Sequence, residues 1–228
     1  PPPPLGSWNK TIELVPEHIR GGALLLHGLT DSPYSLRRIG RILHAKGFYV
    51  LGLRLPGHGT IPGALTNVRW EDWVAASRIG ARHVREQIGS DRPFGIVGYS
   101  NGGALAVKYA LDALVDPDLP SPDRLLLFSP EIGVSALAFA ANTHKLLSFL
   151  PYFEKSKWLD IIPEYDPFKY NSFPKNAAQQ AYGITKTLQR QIDETRAAGK
   201  FADFPPVFTF LSWIDATVDT SATIHRLY

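Results

Sequence analysis

Phe94-Gly95-Ile96-Val97-Gly98-Tyr99-Ser100-Asn101-Gly102-Gly103-Ala104-Leu105-Ala106 holds a short apolar run, a G-x-S-x-G turn and the opening of a small-residue helix. A continuous apolar run of this length is the signature of a strand buried on both faces, and such strands belong to parallel sheets. The turn therefore sits at a strand-to-helix junction. There a serine is held in a strained backbone conformation, tolerated because Gly98 and Gly102 remove side-chain clashes, and its hydroxyl projects above the sheet beside a helix N-terminus. Ser100 is the candidate nucleophile.

Working outward, the runs 22–26, 48–53, 124–128 and 207–211 repeat the buried-strand pattern. Helical segments separate them: Pro33 to Lys46, with Ser32 as N-cap and Pro33 at the first helical position, then Arg69 to Ile88, then Gly102 to Leu114. Alternation of strand and helix predicts an α/β fold with a mostly parallel sheet and helices on both faces. Thr11 to Val15 is a possible additional first strand. From Glu131 to Phe204 the rhythm stops, with no convincing buried strand; Phe149, Phe153, Phe168 and other aromatics crowd among prolines instead. This predicts an insertion, closed near its end by an amphipathic helix bearing Ala177, Ala181, Ile184, Leu188 and Ile192. The expected organisation is a linker and possible strand over 1–20, a core over 21–130, a helical lid or cap over 131–204, and a return to the core over 205–228. The aromatics pack the insertion's own core or cover a pocket, and Tyr99, Phe149, Phe153 and Phe168 are the candidate pocket residues.

A second constellation, His27-Gly28-Leu29-Thr30, also follows a buried strand and precedes a helix. Acyl transfer needs backbone N–H groups aimed at a developing oxyanion. Asn101, after the nucleophile, offers one and Leu29 the other. His27 and Gly28 support that loop, His27 more as an orienting hydrogen-bond partner than as a general base.

These motifs, with Arg54-Leu55-Pro56-Gly57-His58-Gly59 after the next strand and Asp215-Ala216-Thr217-Val218 after the last, occur in an order that resembles the α/β-hydrolase superfamily. Within it the chain looks like the bacterial carboxylesterase, monoacylglycerol lipase and lysophospholipase (serine aminopeptidase-like) branch. The resemblance covers roughly residues 21–228. It implies a structural role for His58 and a Ser–acid–His triad, with Asp215 just past a buried strand as the acid and Asp219 as the alternative, better suited to the start of the last helix.

The base does not fit the chain order. A helix of about 10 residues and a strand of about 5–6 should separate acid from His, more than the 13 residues that follow Asp215 can supply. His225 falls inside a predicted helix, and His18, His44, His83 and His144 precede the acid. The expectation is a base beyond Tyr228 and a chain that stops before the last strand.

Composition narrows the alternatives. With 24 Lys+Arg against 21 Asp+Glu and no basic tract, nucleic acid is not an expected partner despite a pI near 9.1. Zero Cys removes thiol nucleophiles, disulfides and Cys-ligated metals. The mechanism needs no cofactor and no metal. No apolar run reaches the ~20 residues that span a bilayer, and no signal peptide opens the chain. The segment reads as soluble, cytoplasm ahead of other compartments, with an upstream anchor or export signal compatible. The expected activity is cleavage of small-molecule esters with hydrophobic acyl groups through an acyl-enzyme. The alternatives are a serine peptidase or acyltransferase of the same fold, or a non-catalytic scaffold that binds a hydrophobic ligand.

Overall fold

The computed structural model describes residues 8–133, 157–212 and 220–228. Its sheet has the order β1-β3-β2-β4-β5-β8, with β1 (Ile12–Leu14), β2 (Gly21–Leu26), β3 (Phe48–Leu53), β4 (Phe94–Tyr99), β5 (Arg124–Phe128) and β8 (Val207–Phe210). Only β1 runs antiparallel to its neighbour. Side chains alternate across the sheet, so each apolar run feeds two cores. Leu24, Leu26, Leu51, Ile96, Leu125 and Leu127 face one core with residues of α2 (Trp70–Ile88) and α3 (Asn101–Ala113). Ala23, Leu25, Val50 and Val97 face the other, where Trp8, Leu36 and α1 (Arg37–Ala45) lie. Because the strands are parallel, the segments following β2, β3, β4 and β5 all emerge at one carboxyl edge, where open α/β sheets place their sites.

Two local expectations are corrected, and one short strand pair is added. The segment from Pro33 opens as a 3-10 turn over Pro33–Leu36 before α1 begins, and Ser32 is extended without a side-chain cap. The Ser32 hydroxyl is buried without a hydrogen-bond partner, while Ser35 Oγ donates to the Ser32 carbonyl at 3.1 Å. The turn is stabilised from inside it. The insertion also contains a short antiparallel pair, β6 (Trp158–Asp160) with β7 (Phe173–Pro174). Leu159 is 49% exposed, so the pair lacks the continuous burial that makes a strand visible in sequence. Finally, among the described residues β8 pairs with β5 alone, and Phe208 and Phe210 are exposed rather than buried. Phe210 stacks on Phe128 across the pair, ring centroids 5.1 Å apart.

The insertion's helix, α4 (Lys175–Ala197), buries Ala177, Ala181, Ile184, Leu188 and Ile192 in the core shared by α2 and α3. A buried ionic knot ties the three helices. Asp112 on α3 accepts hydrogen bonds from Arg78 on α2 (2.8 Å), Lys108 one turn back, and Gln191 on α4 (2.9 Å). Burial pushes the Asp112 carboxyl up, but these donors outweigh it and leave it below the usual carboxylate range. Removing one member of such a group strands the remaining charges in a water-poor site. Replacing Asp112 by Ala should lower unfolding free energy by about 3–5 kcal/mol, read as a shifted urea midpoint; an unchanged midpoint would show that the knot contributes nothing.

Candidate active site

Ser100 joins β4 to α3 at φ 53° and ψ −118°. An L-residue holds such a conformation only when its surroundings over-determine it. Here they do. Its N–H donates to Phe128 O (2.9 Å), and its carbonyl accepts from the N–H groups of Gly103 (2.8 Å) and Glu131 (3.0 Å). The turn also needs close backbone approach. A Cβ on Gly98 would lie 2.6 Å from Gly103 Cα, one on Gly102 would collide with the Leu26 carbonyl, and one on Gly103 would strike Pro130. Gly98 and Gly102 therefore let β4, α3 and the end of β2 meet at the serine. Asn101 is fully buried as the first residue of α3, so its N–H has no intrahelical acceptor.

The loop after β2 approaches the same edge. Gly28 C=O and Leu29 N–H belong to one trans peptide and point in opposite directions. Gly28 O accepts from the His27 ring (Nδ1, 2.9 Å) and from Asp31 N–H (3.2 Å), which directs the Leu29 N–H the other way. His27 Nε2 accepts from Leu55 N–H at 3.1 Å, so the ring proton resides on Nδ1. Burial, reinforced by His58, holds the His27 pKa well below the ordinary imidazole value despite the bond to Gly28. A neutral ring with both nitrogens engaged orients the loop and is no general base. His58 packs edge-on to it, 4.8 Å between centroids, with Nε2 2.7 Å from Leu29 O and Nδ1 3.0 Å from Pro56 O. Burial lowers its pKa too, and the surrounding carbonyls offset this only in part. A ring kept neutral has one proton, best placed on the shorter contact to Leu29.

The remaining described histidines have other positions. His44 contacts Val15 O, His83 sits between Tyr49 Oη and Glu13, and His18 and His225 are exposed, the latter on α5 (Thr220–Leu227). Asp215, Asp219, Phe149, Phe153 and His144 lie outside the described residues. The two described pocket candidates line separate cavities. Tyr99 shares one of about 380 Å³ with Ser35, Ile39 and Phe128, whereas Phe168, stacked on Tyr34 at 3.6 Å, lines a smaller cleft of about 230 Å³ with Thr60 and Tyr170. Asp31 borders both. Its carboxyl crowds Gly28, where a Cβ would come within 2.6 Å of Oδ2; burial raises its pKa, an effect Lys169 opposes and Asp166 reinforces.

Sequence reasoning passed over Glu131. Its N–H fixes the Ser100 carbonyl, and burial alone pushes its side chain up to about 7. An acidic residue three positions beyond β5, at the sheet edge that carries Ser100, was the available signal.

A family model described as the alpha/beta hydrolase family matches residues 23–227. The thermostable monoacylglycerol lipase of Bacillus sp. (strain H-257) is 32% identical over 89 residues, 39% of this chain and 34% of that protein. The carboxylesterase of Bacillus subtilis (strain 168) is 24% identical over 139 residues, 60% of this chain and 56% of that protein. The matched stretches thus span about a third and just over half of these relatives. Among solved structures, a metagenome-derived lipolytic enzyme superposes with a TM-score of 0.76 at 20% identity, covering 96% of this chain and 83% of that one. A soluble variant of the Saccharomyces cerevisiae monoglyceride lipase, solved with a substrate analogue, gives 0.59 at 13% identity, covering 94% and 76%. At these identities the superpositions speak for the fold.

The Glu131 carboxyl gives a pH signature. Its folded pKa near 7 exceeds the unfolded value of about 4.3, so the native state binds the proton more tightly and stability falls as pH rises from about 4.5 to about 7. Glu131→Gln should flatten that decline in urea midpoints taken between pH 5 and pH 8. An identical slope in the variant would rule out Glu131 as its source.

Proposed function

Because the chain belongs to the alpha/beta hydrolase family, we propose that it cleaves carboxylic esters through an acyl-enzyme on Ser100. The observation that carries this reading is the strained serine at the β4–α3 junction, with two backbone donors at the same edge of the sheet. Ser100 Oγ attacks the acyl carbonyl, and the oxygen that becomes an alkoxide is taken up by the N–H groups of Leu29 and Asn101. Such donors act on charge that develops only in the transition state, and each is worth about 10²–10³ in rate. An imidazole takes the Ser100 proton and passes it to the departing alcohol; water, deprotonated by the same base, then releases the acid. Asp215, on the segment after β8, is the carboxylate that orients this imidazole. The described histidines are engaged with other groups or exposed, so the base comes from outside the described residues.

The names of the two Bacillus relatives and the aromatic content of the insertion favour esters with hydrophobic acyl groups, medium-chain or monoacylglycerol-like. No described helix is long and apolar enough to cross a membrane, and the substrate in this reading is a small molecule.

Ser100→Ala should reduce hydrolysis of p-nitrophenyl butyrate and octanoate by at least about 10⁴-fold and abolish covalent labelling by a fluorophosphonate. Labelling that persists in the variant would place the nucleophile elsewhere. For the acid, Asp215→Asn should lower kcat by about 10³–10⁴-fold with KM little changed, whereas Asp219→Asn should leave kcat within about twofold. The reverse pattern would assign the acid to Asp219.

A further inference from the structure

Three successive carbonyls of the loop after β2 are held by three different parts of the chain. Gly28 O is held by His27 at the strand's own end, and Leu29 O by His58 from the turn after β3. Thr30 O accepts from the N–H of Tyr170, at 2.7 Å. Tyr170 belongs to the insertion, far along the chain from both other supports.

The same residue also grips the second support. Its hydroxyl donates to Gly57 O (3.1 Å) and accepts from Thr60 N–H (2.9 Å), the bonds that flank His58. Its ring lies parallel to the His58 imidazole, 8° between planes and 6.2 Å between centroids. Only 9% of Tyr170 is exposed. The segment leading to it is fastened independently: Phe168 stacks on Tyr34, Asn9 Nδ2 donates to Pro167 O, and Glu164 accepts from the N–H groups of Asn171 (2.8 Å) and Ser172 (2.7 Å).

We propose that Tyr170 is a positioning residue for the oxyanion hole, through which the docked segment 164–172 sets the direction of the Leu29 N–H. This rests on the reading of Ser100 as an acylated nucleophile and Leu29 as an oxyanion donor. Tyr170 does not touch the reacting atoms. It acts through the Thr30 carbonyl, one peptide beyond the bond that follows Leu29, and through the turn that presents His58 to Leu29 O. Catalytic geometry tolerates displacements of only about 0.5 Å and 10–20°, so a loop released on one side loses transition-state stabilisation while still admitting substrate.

Tyr170→Phe keeps the ring and the backbone donor but deletes the hydroxyl that fixes the Gly57–Thr60 turn. The expected result is a fall in kcat of about 10-fold, less than removal of a whole donor, with KM within about twofold. The affinity for a trifluoromethyl ketone, which forms a tetrahedral adduct, should weaken in parallel with kcat. Phe168→Leu, which loosens the strap with the hydroxyl intact, should shift kcat the same way by a smaller factor. Asp112→Ala serves as the comparison for lost stability alone, since it weakens helix packing at the far end of α3, and its kcat at a temperature where it is folded should match the unmodified protein. Equal kcat in Tyr170→Phe and the unmodified protein would overturn the coupling, as would a loss no larger than that of Asp112→Ala. Absence of fluorophosphonate labelling in the unmodified protein would instead overturn the serine-hydrolase reading, and this proposal with it.

Discussion

A serine held at φ 53° is a conformation that costs on the order of 1–3 kcal/mol, and most of the architecture can be read as the means of keeping it there. Strand β4 delivers the chain to the turn in register with β2 and β5, and α3 leaves from it at once. The Ser100 N–H and C=O are both bonded to the neighbouring β5 and the segment after it. Glycines at 98, 102 and 103 allow backbones to approach where any Cβ would intrude. Relaxing the serine to an ordinary conformation would therefore break sheet, helix and turn contacts together. The strain is stable because its release is more costly than its retention.

The electrostatics follow from the same crowding. His27 and His58 sit under the loop after β2, away from water, and burial disfavours their charged forms. Neutral rings suit this position: a neutral His27 can donate through one nitrogen and accept through the other, bridging Gly28 O and Leu55 N–H. An imidazolium could only donate, leaving Leu55 N–H facing a second donor. The loop's direction thus depends on a protonation state that burial enforces. Asp31 and Glu131, raised by burial on either side, are carboxyls whose ionisation would bring negative charge toward the sheet edge that carries Ser100.

What was legible in the sequence was what is local. The G-x-S-x-G turn, the apolar runs and the period of α4 each carry their cause within a few residues, and the corresponding elements are found at those positions. Features that depend on distant partners were not legible. Ser32 precedes a proline as an N-cap would, but tertiary packing buries its hydroxyl and a 3-10 turn follows. Val207 to Leu211 reads as a strand buried on both faces, whereas Phe208 and Phe210 are exposed among the described residues, because what covers a sheet face comes from distant segments. Tyr170 was one aromatic among many, and its bonds to Gly57, Thr60 and Thr30 span more than a hundred residues. No spacing rule predicts such contacts.

That long reach carries a kinetic consequence. The strand pairs from β2 to β5 close shorter loops, the longest being that between Gly22 on β2 and Phe94 on β4. The contacts of Tyr170 with the β2 and β3 segments close loops of more than a hundred residues and require the β2–β5 scaffold against which the strap docks. During refolding, the far-ultraviolet dichroism of sheet and helices would recover ahead of the bonds that Tyr170 makes to Gly57, Thr60 and Thr30. Between those two events the β4–α3 turn would be formed while the loop after β2 still lacked its third carbonyl support.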